Sequence, residues 1–181
     1  HVMQMRPMTW GGMTEVSNNL FSMYATMNLG SPSRLTKNKV YDAAFKQVLD
    51  ADSTKFILAV NDPFHKLVPF WQLQIYFSGK GYTDFYADLM EHMRTHPHKG
   101  TRNASIHNMY EFIKVCCDLT KTDLTEFFDK WGFFETGKYT INDYSRYDFD
   151  ITPKMVDEVK QYIASKNYPK PDKDITLSLI H

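Results

Sequence analysis

Two residues near the start of the chain, His1 and Glu15, have side chains of the types that bind a catalytic metal ion. A neutral imidazole and a carboxylate are ligands of catalytic zinc, which keeps one position open for water. Gly11 and Gly12 lie between them and predict a turn, which would let a segment ending near His1 fold back against a helix carrying Glu15. Two alternatives stay open: His1 is a remnant of a purification tag, and Glu15 complements a helix dipole.

Three histidines form a second candidate metal site. His92 and His96 are spaced i, i+4, which places both side chains on one helix face, and His98 follows. However, Pro97 breaks the helix there, and the nearest carboxylate, Glu91, is expected to face elsewhere. We therefore favour a solvated helix end, where histidines complement the dipole.

Two further groups have reactive or ligand-binding side-chain types but are predicted to be mainly structural. Aromatic residues cluster at 70–71 and 131–134, and at helical spacing such residues usually form core rather than a sugar-binding platform. Gln72 and Tyr76 form a polar stripe on the same predicted helix, which we expect to project toward a cleft. Cys116 and Cys117 are adjacent; because a vicinal disulfide is strained, we expect two buried helical thiols.

Composition limits the classes of function. The chain has 181 residues, with 21 Lys+Arg and 21 Asp+Glu, so its formal net charge is zero. A nucleic-acid-binding surface normally leaves a basic excess, and no polybasic segment favours an anionic membrane. A hydrophobic content of 43% with 15% aromatic residues excludes intrinsic disorder. No stretch is long and apolar enough to predict a transmembrane segment. No nucleophile elbow, P-loop or dinucleotide-binding motif is present.

Apolar periodicity predicts a mainly α fold of about six to seven helices with a small mixed α/β C-terminal tail. The predicted helices cover residues 13–28, 37–49, 64–77, 83–96, 105–119, 122–131 and 152–166. Residues 64–77 are apolar nearly all round, which indicates a buried central helix. Asp62 and Pro63 have the types of an N-cap and a first helical residue, while Pro69 should bend this helix or mark its true start.

The C-terminal tail differs from the helical part in the spacing of its apolar residues. Tyr139 and Ile141, then Phe149 and Ile151, alternate as strand residues do, and residues 174–180 are predicted to form an edge strand. We therefore divide the chain into a helical part at residues 1–136 and a C-terminal extension at residues 137–181, packed together as one domain.

The order of several sequence blocks resembles the enhancin-like, mucin-degrading family of zinc metallopeptidases. The similar blocks include Trp-Gln-Leu and Phe-Phe-x-x-Trp-Gly-Phe, and they lie at residues 1–4, 10–19, 67–77, 84–94, 123–133 and 168–171. The resemblance covers nearly the whole chain. It implies a gluzincin-type helical subdomain, the C-terminal part of a catalytic domain.

The resemblance also implies roles for individual residues. In gluzincins two histidines of H-E-x-x-H and a glutamate on the following helix bind zinc, and the glutamate within the motif is the general base. His1 matches the second histidine and Glu15 the third ligand. The first histidine and the base would precede His1, in a missing N-terminal part of the catalytic domain. We therefore expect the isolated chain to be catalytically inactive.

The leading hypothesis is a secreted or cell-surface zinc endopeptidase that cleaves glycosylated, mucin-like proteins. Trp10, Asn18, Asn19 and Gln72 are the candidate substrate-binding residues, from their positions in the similar blocks. The alternative is a non-catalytic helical module that binds glycan or protein through aromatic residues, and a third possibility is a scaffold segment without a site.

Overall fold

The computed structural model describes residues 8, 10–52, 55–97 and 105–178. This part of the chain is mainly helical, as predicted, with one small antiparallel sheet. The helices are α1 (Thr14–Asn28), α2 (Arg34–Lys37), α3 (Val40–Ala44), α4 (Pro63–Ser78), α5 (Phe85–Thr95), α6 (Ser105–Thr120), α7 (Thr125–Lys130) and α8 (Pro153–Ser165). A π-helical turn, Phe45–Leu49, continues α3, and 3₁₀ helices span Ile57–Ala59 and Ile175–Leu177.

Helix α4 is the centre of the fold. Asp62 caps it, since its Oδ1 accepts a hydrogen bond from the backbone N–H of Phe64 at 2.8 Å, and Pro63 occupies the first turn. Residues 66–74 are all buried, and α1, α3, α5 and the second 3₁₀ helix pack around them. The prediction of a buried central helix is confirmed. Pro69 lies inside the helix and does not mark its start.

The predicted helix at residues 37–49 is divided in the structure. Ser33 caps α2 by accepting a hydrogen bond from the N–H of Thr36 at 3.2 Å, and α2 ends at Lys37. Lys39 then adopts a left-handed conformation with φ of 53°, after which α3 begins. Periodicity did not locate this break because the apolar residues that predict the helix, Val40, Ala44 and Val48, all lie after it.

The two predicted strands near residues 139 and 149 form a hairpin. Strands β1 (Gly137–Asn142) and β2 (Arg146–Ile151) pair antiparallel, with Tyr139 opposite Phe149. Ile141, Phe149 and Ile151 are buried while their neighbours are more exposed, as the alternation predicted. Because these side chains join the same core as α1 and α4, residues from both predicted parts of the chain share one core.

The predicted edge strand at residues 174–180 is wrong over residues 175–177, which form a 3₁₀ helix; residues 179–181 lie outside the described part. The physical reason is local capping. The Oδ1 atom of Asp174 accepts hydrogen bonds from the N–H and the Oγ1–H of Thr176, at 2.9 and 2.7 Å, which turns the chain.

A second aspartate ties the C-terminal segment to α4. Asp172 accepts hydrogen bonds from the hydroxyl of Tyr76 at 2.7 Å and from Nζ of Lys80 at 2.6 Å. These bonds, the one from Lys80 first, favour the ionised carboxyl and lower the pKa of Asp172 to about 2.

This contact predicts an acid-dependent loss of stability. Because the folded-state pKa is depressed, the stabilisation is present above the unfolded value, about 3.9, and is lost as the pH falls toward 2. We expect the thermal midpoint of Asp172→Asn to lie below that of the parent protein at pH 6 and to converge with it by pH 2. Lys80→Met should shrink the difference at pH 6, and a pH-independent difference would contradict the assignment.

No helix among the described residues combines the length and the apolar character needed to span a membrane.

Candidate functional site

The turn that leads into α1 is fixed from several sides. The N–H of Gly11 donates to Oγ of Ser105 at 3.0 Å, and a Cβ atom at Gly11 would lie 2.6 Å from the ring of Tyr147. Gly12 has φ of +90°, a conformation that L residues rarely adopt. Both positions of the turn therefore favour glycine, and the hydrogen bond to Ser105 anchors the turn to the first residue of α6.

Asp143, in the turn between β1 and β2, caps α1 from 129 residues away in sequence. Its Oδ2 accepts hydrogen bonds from the N–H of Gly12, the N–H of Thr14 and the hydroxyl of Thr14, at 2.9, 3.1 and 2.8 Å. The first N–H groups of a helix lack partners within the helix, and a carboxylate there also complements the helix dipole. The Asp143 side chain thus acts as an N-cap for α1 although it is distant in sequence.

Lys66, on α4, also bonds the turn before α1. It is 7% exposed, and its Nζ donates to the carbonyl of Gly12 at 2.8 Å. Burial lowers the pKa of Lys66, while the negative charges of Asp143 and Asp62 partly offset that effect. The N–H and the C=O of Gly12 are therefore both bonded to charged side chains, one from the hairpin and one from α4.

Glu15 lies in the first turn of α1, directly after this fixed segment. It is partly exposed, and its Oε1 accepts a hydrogen bond of 2.6 Å from the hydroxyl of Tyr144. A carboxylate held by an outer hydrogen-bond donor has the chemistry expected of a zinc ligand, because metal ligands are usually oriented by such partners. The residues present therefore fit one carboxylate ligand of a metal site.

Asn18 and Asn19 follow Glu15 on α1, about one turn further on, and both are partly exposed. The side-chain amide of Asn19 donates to the backbone carbonyl of Glu15 at 2.7 Å. The structure thus brings three of the predicted site residues together on one helix.

Trp10 and Gln72 lie elsewhere. Trp10 is 2% exposed and its ring packs 5.4 Å from that of Phe112. Gln72 is 0% exposed; its amide donates to the carbonyl of Thr176 at 2.7 Å and accepts from Nε1 of Trp131 at 3.0 Å. Both side chains belong to the core of this structure, so it does not support the expectation that they line an open cleft.

The histidine cluster also has a structural explanation. Helix α5 ends at Thr95, and the rings of His92 and His96 stack with centroids 4.4 Å apart at the helix end. Glu91 is bound to Arg94 at 2.6 Å, and His98 lies outside the described residues. Across the described ranges, no three His, Cys, Asp or Glu side chains are grouped to hold a metal ion. His1, the other predicted ligand, also lies outside those ranges.

The aromatic clusters and the cysteines are core, as predicted. The aromatic residues at 70–71 and 131–134 are at most 6% exposed. Cys116 and Cys117 are buried and free, and burial raises the pKa of the Cys117 thiol to about 12.

Sequence reasoning missed Lys66 and Asp143, which bond the turn before α1, and Tyr144, which contacts Glu15. Asn142 and Asp143 lie between two segments with strand-like alternation, a position typical of a turn. Nothing local indicated that this turn would reach a helix more than 120 residues away. The sequence signal for Lys66 was its position in a helix that is apolar nearly all round, because a buried lysine requires a partner.

The hairpin cap makes a testable prediction. Asp143→Ala should lower the free energy of unfolding by about 1–3 kcal/mol, since it leaves the N–H of Gly12, the first helical N–H at Thr14 and the Thr14 hydroxyl without their acceptor. Asp150→Ala is the matched control on the same hairpin, because Asp150 is exposed and lies 3.9 Å from Lys138; it should change stability by less than about 0.5 kcal/mol. Urea denaturation measures both, and equal effects would contradict the capping role.

Comparisons with known proteins give a family and several solved structures of similar fold. The family described as Peptidase M60, enhancin and enhancin-like, matches residues 1–132. A metallopeptidase from Bacteroides thetaiotaomicron is 29% identical, with a TM-score of 0.73, over 94% of this chain and 29% of that chain. A metallopeptidase solved in complex with Tn antigen is 30% identical, with a TM-score of 0.72, over 94% of this chain and 32% of that chain.

A conserved protein of unknown function from Bacillus anthracis str. Ames is 27% identical, with a TM-score of 0.71, over 96% of this chain and 30% of that chain. The chain therefore spans about 30% of the length of the solved proteins that it resembles. No curated protein gives a significant match.

Proposed function

The chain belongs to the peptidase M60 family, enhancin and enhancin-like, and from this premise we propose that it completes the active site of a zinc endopeptidase that cleaves glycosylated, mucin-like proteins. The observation that carries the proposal is the placement of Glu15. Its carboxylate lies in the first turn of a helix whose start is held by two charged side chains, Lys66 and Asp143, and a tyrosine hydroxyl contacts it. That is the support a metal ligand requires.

Glu15 and His1 would hold the zinc ion, with a further histidine supplied from upstream of His1. When bound, zinc polarises the scissile carbonyl and lowers the pKa of its water. Asn18 and Asn19, on the helix that carries Glu15, would present amide groups to the substrate. The buried network around Gln72 and Trp131 would act indirectly, by keeping α4 and the C-terminal segment together.

The glycosylated substrate class has its support in the relatives. One solved metallopeptidase of this fold is in complex with Tn antigen, a glycosylated group. Because mucin-like proteins lie outside cells, we extend the proposal to a secreted or cell-surface location.

The test requires the natural polypeptide that contains this chain together with the residues encoded upstream of His1, called here the extended polypeptide. We expect about one zinc per chain after dialysis. We also expect cleavage of a mucin-type glycopeptide, no cleavage of the same peptide without sugars, and no cleavage of either by the 181-residue chain alone.

Other outcomes separate the alternatives. Zinc binding with equal cleavage of both peptides would remove the glycosylated substrate class. Retention of the glycopeptide without zinc or cleavage would favour a glycan-binding module. An extended polypeptide without zinc, cleavage or retention would overturn the proposal.

A further inference from the structure

The turn between β1 and β2 presents a tyrosine in an unusual setting. Tyr144 is 80% exposed, and its φ of 55° lies in the left-handed region that L residues other than asparagine and aspartate rarely adopt. Neither burial nor backbone preference therefore explains a tyrosine here. Its hydroxyl donates a hydrogen bond of 2.6 Å to Oε1 of Glu15, a contact that a tyrosine can make and a phenylalanine cannot.

The turn is anchored to the helix that it contacts. Asp143, the residue before Tyr144, bonds Gly12 and Thr14 at the start of α1, and the N–H of Asp143 donates to the carbonyl of Ser145 at 2.9 Å. The ring of Tyr147 covers Gly11 from the same hairpin. Because these contacts fix the turn against α1, the hydroxyl of Tyr144 meets Glu15 from a rigid support.

We propose that Tyr144 is a positioning residue, which holds the Glu15 carboxylate in the orientation that binds the metal ion. This inference rests on the proposed function. A glutamate side chain has three rotatable bonds, so a partly exposed one samples several rotamers, and a hydrogen bond to an ionised acceptor selects among them. The hairpin lies beyond residues 1–132, the part that the family match covers, so the match itself assigns it no role.

The chain offers a matched control on the same hairpin. The hydroxyl of Tyr139 donates to the carbonyl of Thr136 at 3.1 Å, and the ring of Tyr139 packs with its centroid 4.6 Å from that of Phe56. Tyr139→Phe and Tyr144→Phe each remove one hydroxyl from the hairpin and keep the ring. Only Tyr144→Phe removes the hydrogen bond to Glu15.

The experiment compares the two variants in the extended polypeptide. Zinc affinity is measured by competition with a chelator, and the visible d–d absorption is recorded after substitution with Co²⁺. Tyr144→Phe should weaken zinc binding about 10- to 100-fold, the usual effect of losing an outer-shell partner, and should shift the cobalt spectrum. Tyr139→Phe should change neither, and the thermal midpoints of the two metal-free variants should agree.

The possible failures are distinguishable. If the parent binds zinc and Tyr144→Phe leaves both affinity and cobalt spectrum unchanged, the positioning role is overturned while the proposed function stands. Equal loss of affinity in both variants would show general weakening of the hairpin and would also overturn it. A parent protein that binds neither metal overturns both proposals.

Discussion

Glu15→Ala is expected to remove the bound zinc from the extended polypeptide and to abolish its cleavage of a mucin-type glycopeptide. The loss of affinity should exceed the roughly 10- to 100-fold expected when only an outer-shell partner is removed, because a ligand itself is lost. The fold should persist, since the Glu15 side chain is partly exposed and the cap on α1 comes from Asp143. Metal analysis after dialysis and a glycopeptide cleavage assay measure the two effects.

Glu126→Ala is the matched control for that experiment. Glu126 also lies in the first turn of a helix, α7, but its carboxylate pairs with Lys130 at 3.1 Å. A general effect of removing a helix-dipole partner would appear in both variants, whereas loss of a metal ligand would appear only in Glu15→Ala. Zinc and activity retained in Glu15→Ala would refute the ligand assignment.

The largest expected effect on stability is that of Gly132→Ala. Gly132 ends α7 with φ of +72°, and a Cβ atom there would lie 1.9 Å from the carbonyl oxygen of Lys55. The carbonyl of Gly132 also accepts from the N–H of Ile57 at 3.2 Å, so the two segments cannot separate without losing a hydrogen bond. Left-handed strain and overpacking together should cost about 2–5 kcal/mol.

Gly30→Ala separates the two causes. Gly30 follows the end of α1 with φ of +65°, as Gly132 follows the end of α7. At both helix ends the N–H of the glycine and the N–H of the next residue donate to carbonyls in the last turn of the helix. A Cβ atom at Gly30 meets nothing within 4 Å, so only the strain of about 1–2 kcal/mol remains. Unfolding by urea should rank the variants accordingly. Equal destabilisation would mean that the backbone at Lys55 can move away from a Cβ atom at position 132 without a measurable loss of stability.

Much of the fold could be predicted because it depends on near neighbours in sequence. Asp62 and Pro63 begin α4 through contacts within one turn, and Thr152 caps α8 in the same way. The two strands could be predicted from the alternation of their apolar residues, whereas their antiparallel pairing came from the structure. At Asp174 the sequence pattern predicted a strand, whereas capping by the aspartate side chain produces a 3₁₀ helix.

The candidate site divides along the same line. The sequence by itself determined that Glu15 stands in the first turn of a helix after two glycines, and its blocks resembled a metallopeptidase family. Only the tertiary structure decided that Lys66 and Asp143 fix that turn, that Tyr144 contacts the carboxylate, and that Gln72 is buried against Trp131. Local order is encoded by capping and periodicity over a few residues, whereas pairs 54 to 131 residues apart meet only because packing around one core brings their elements together.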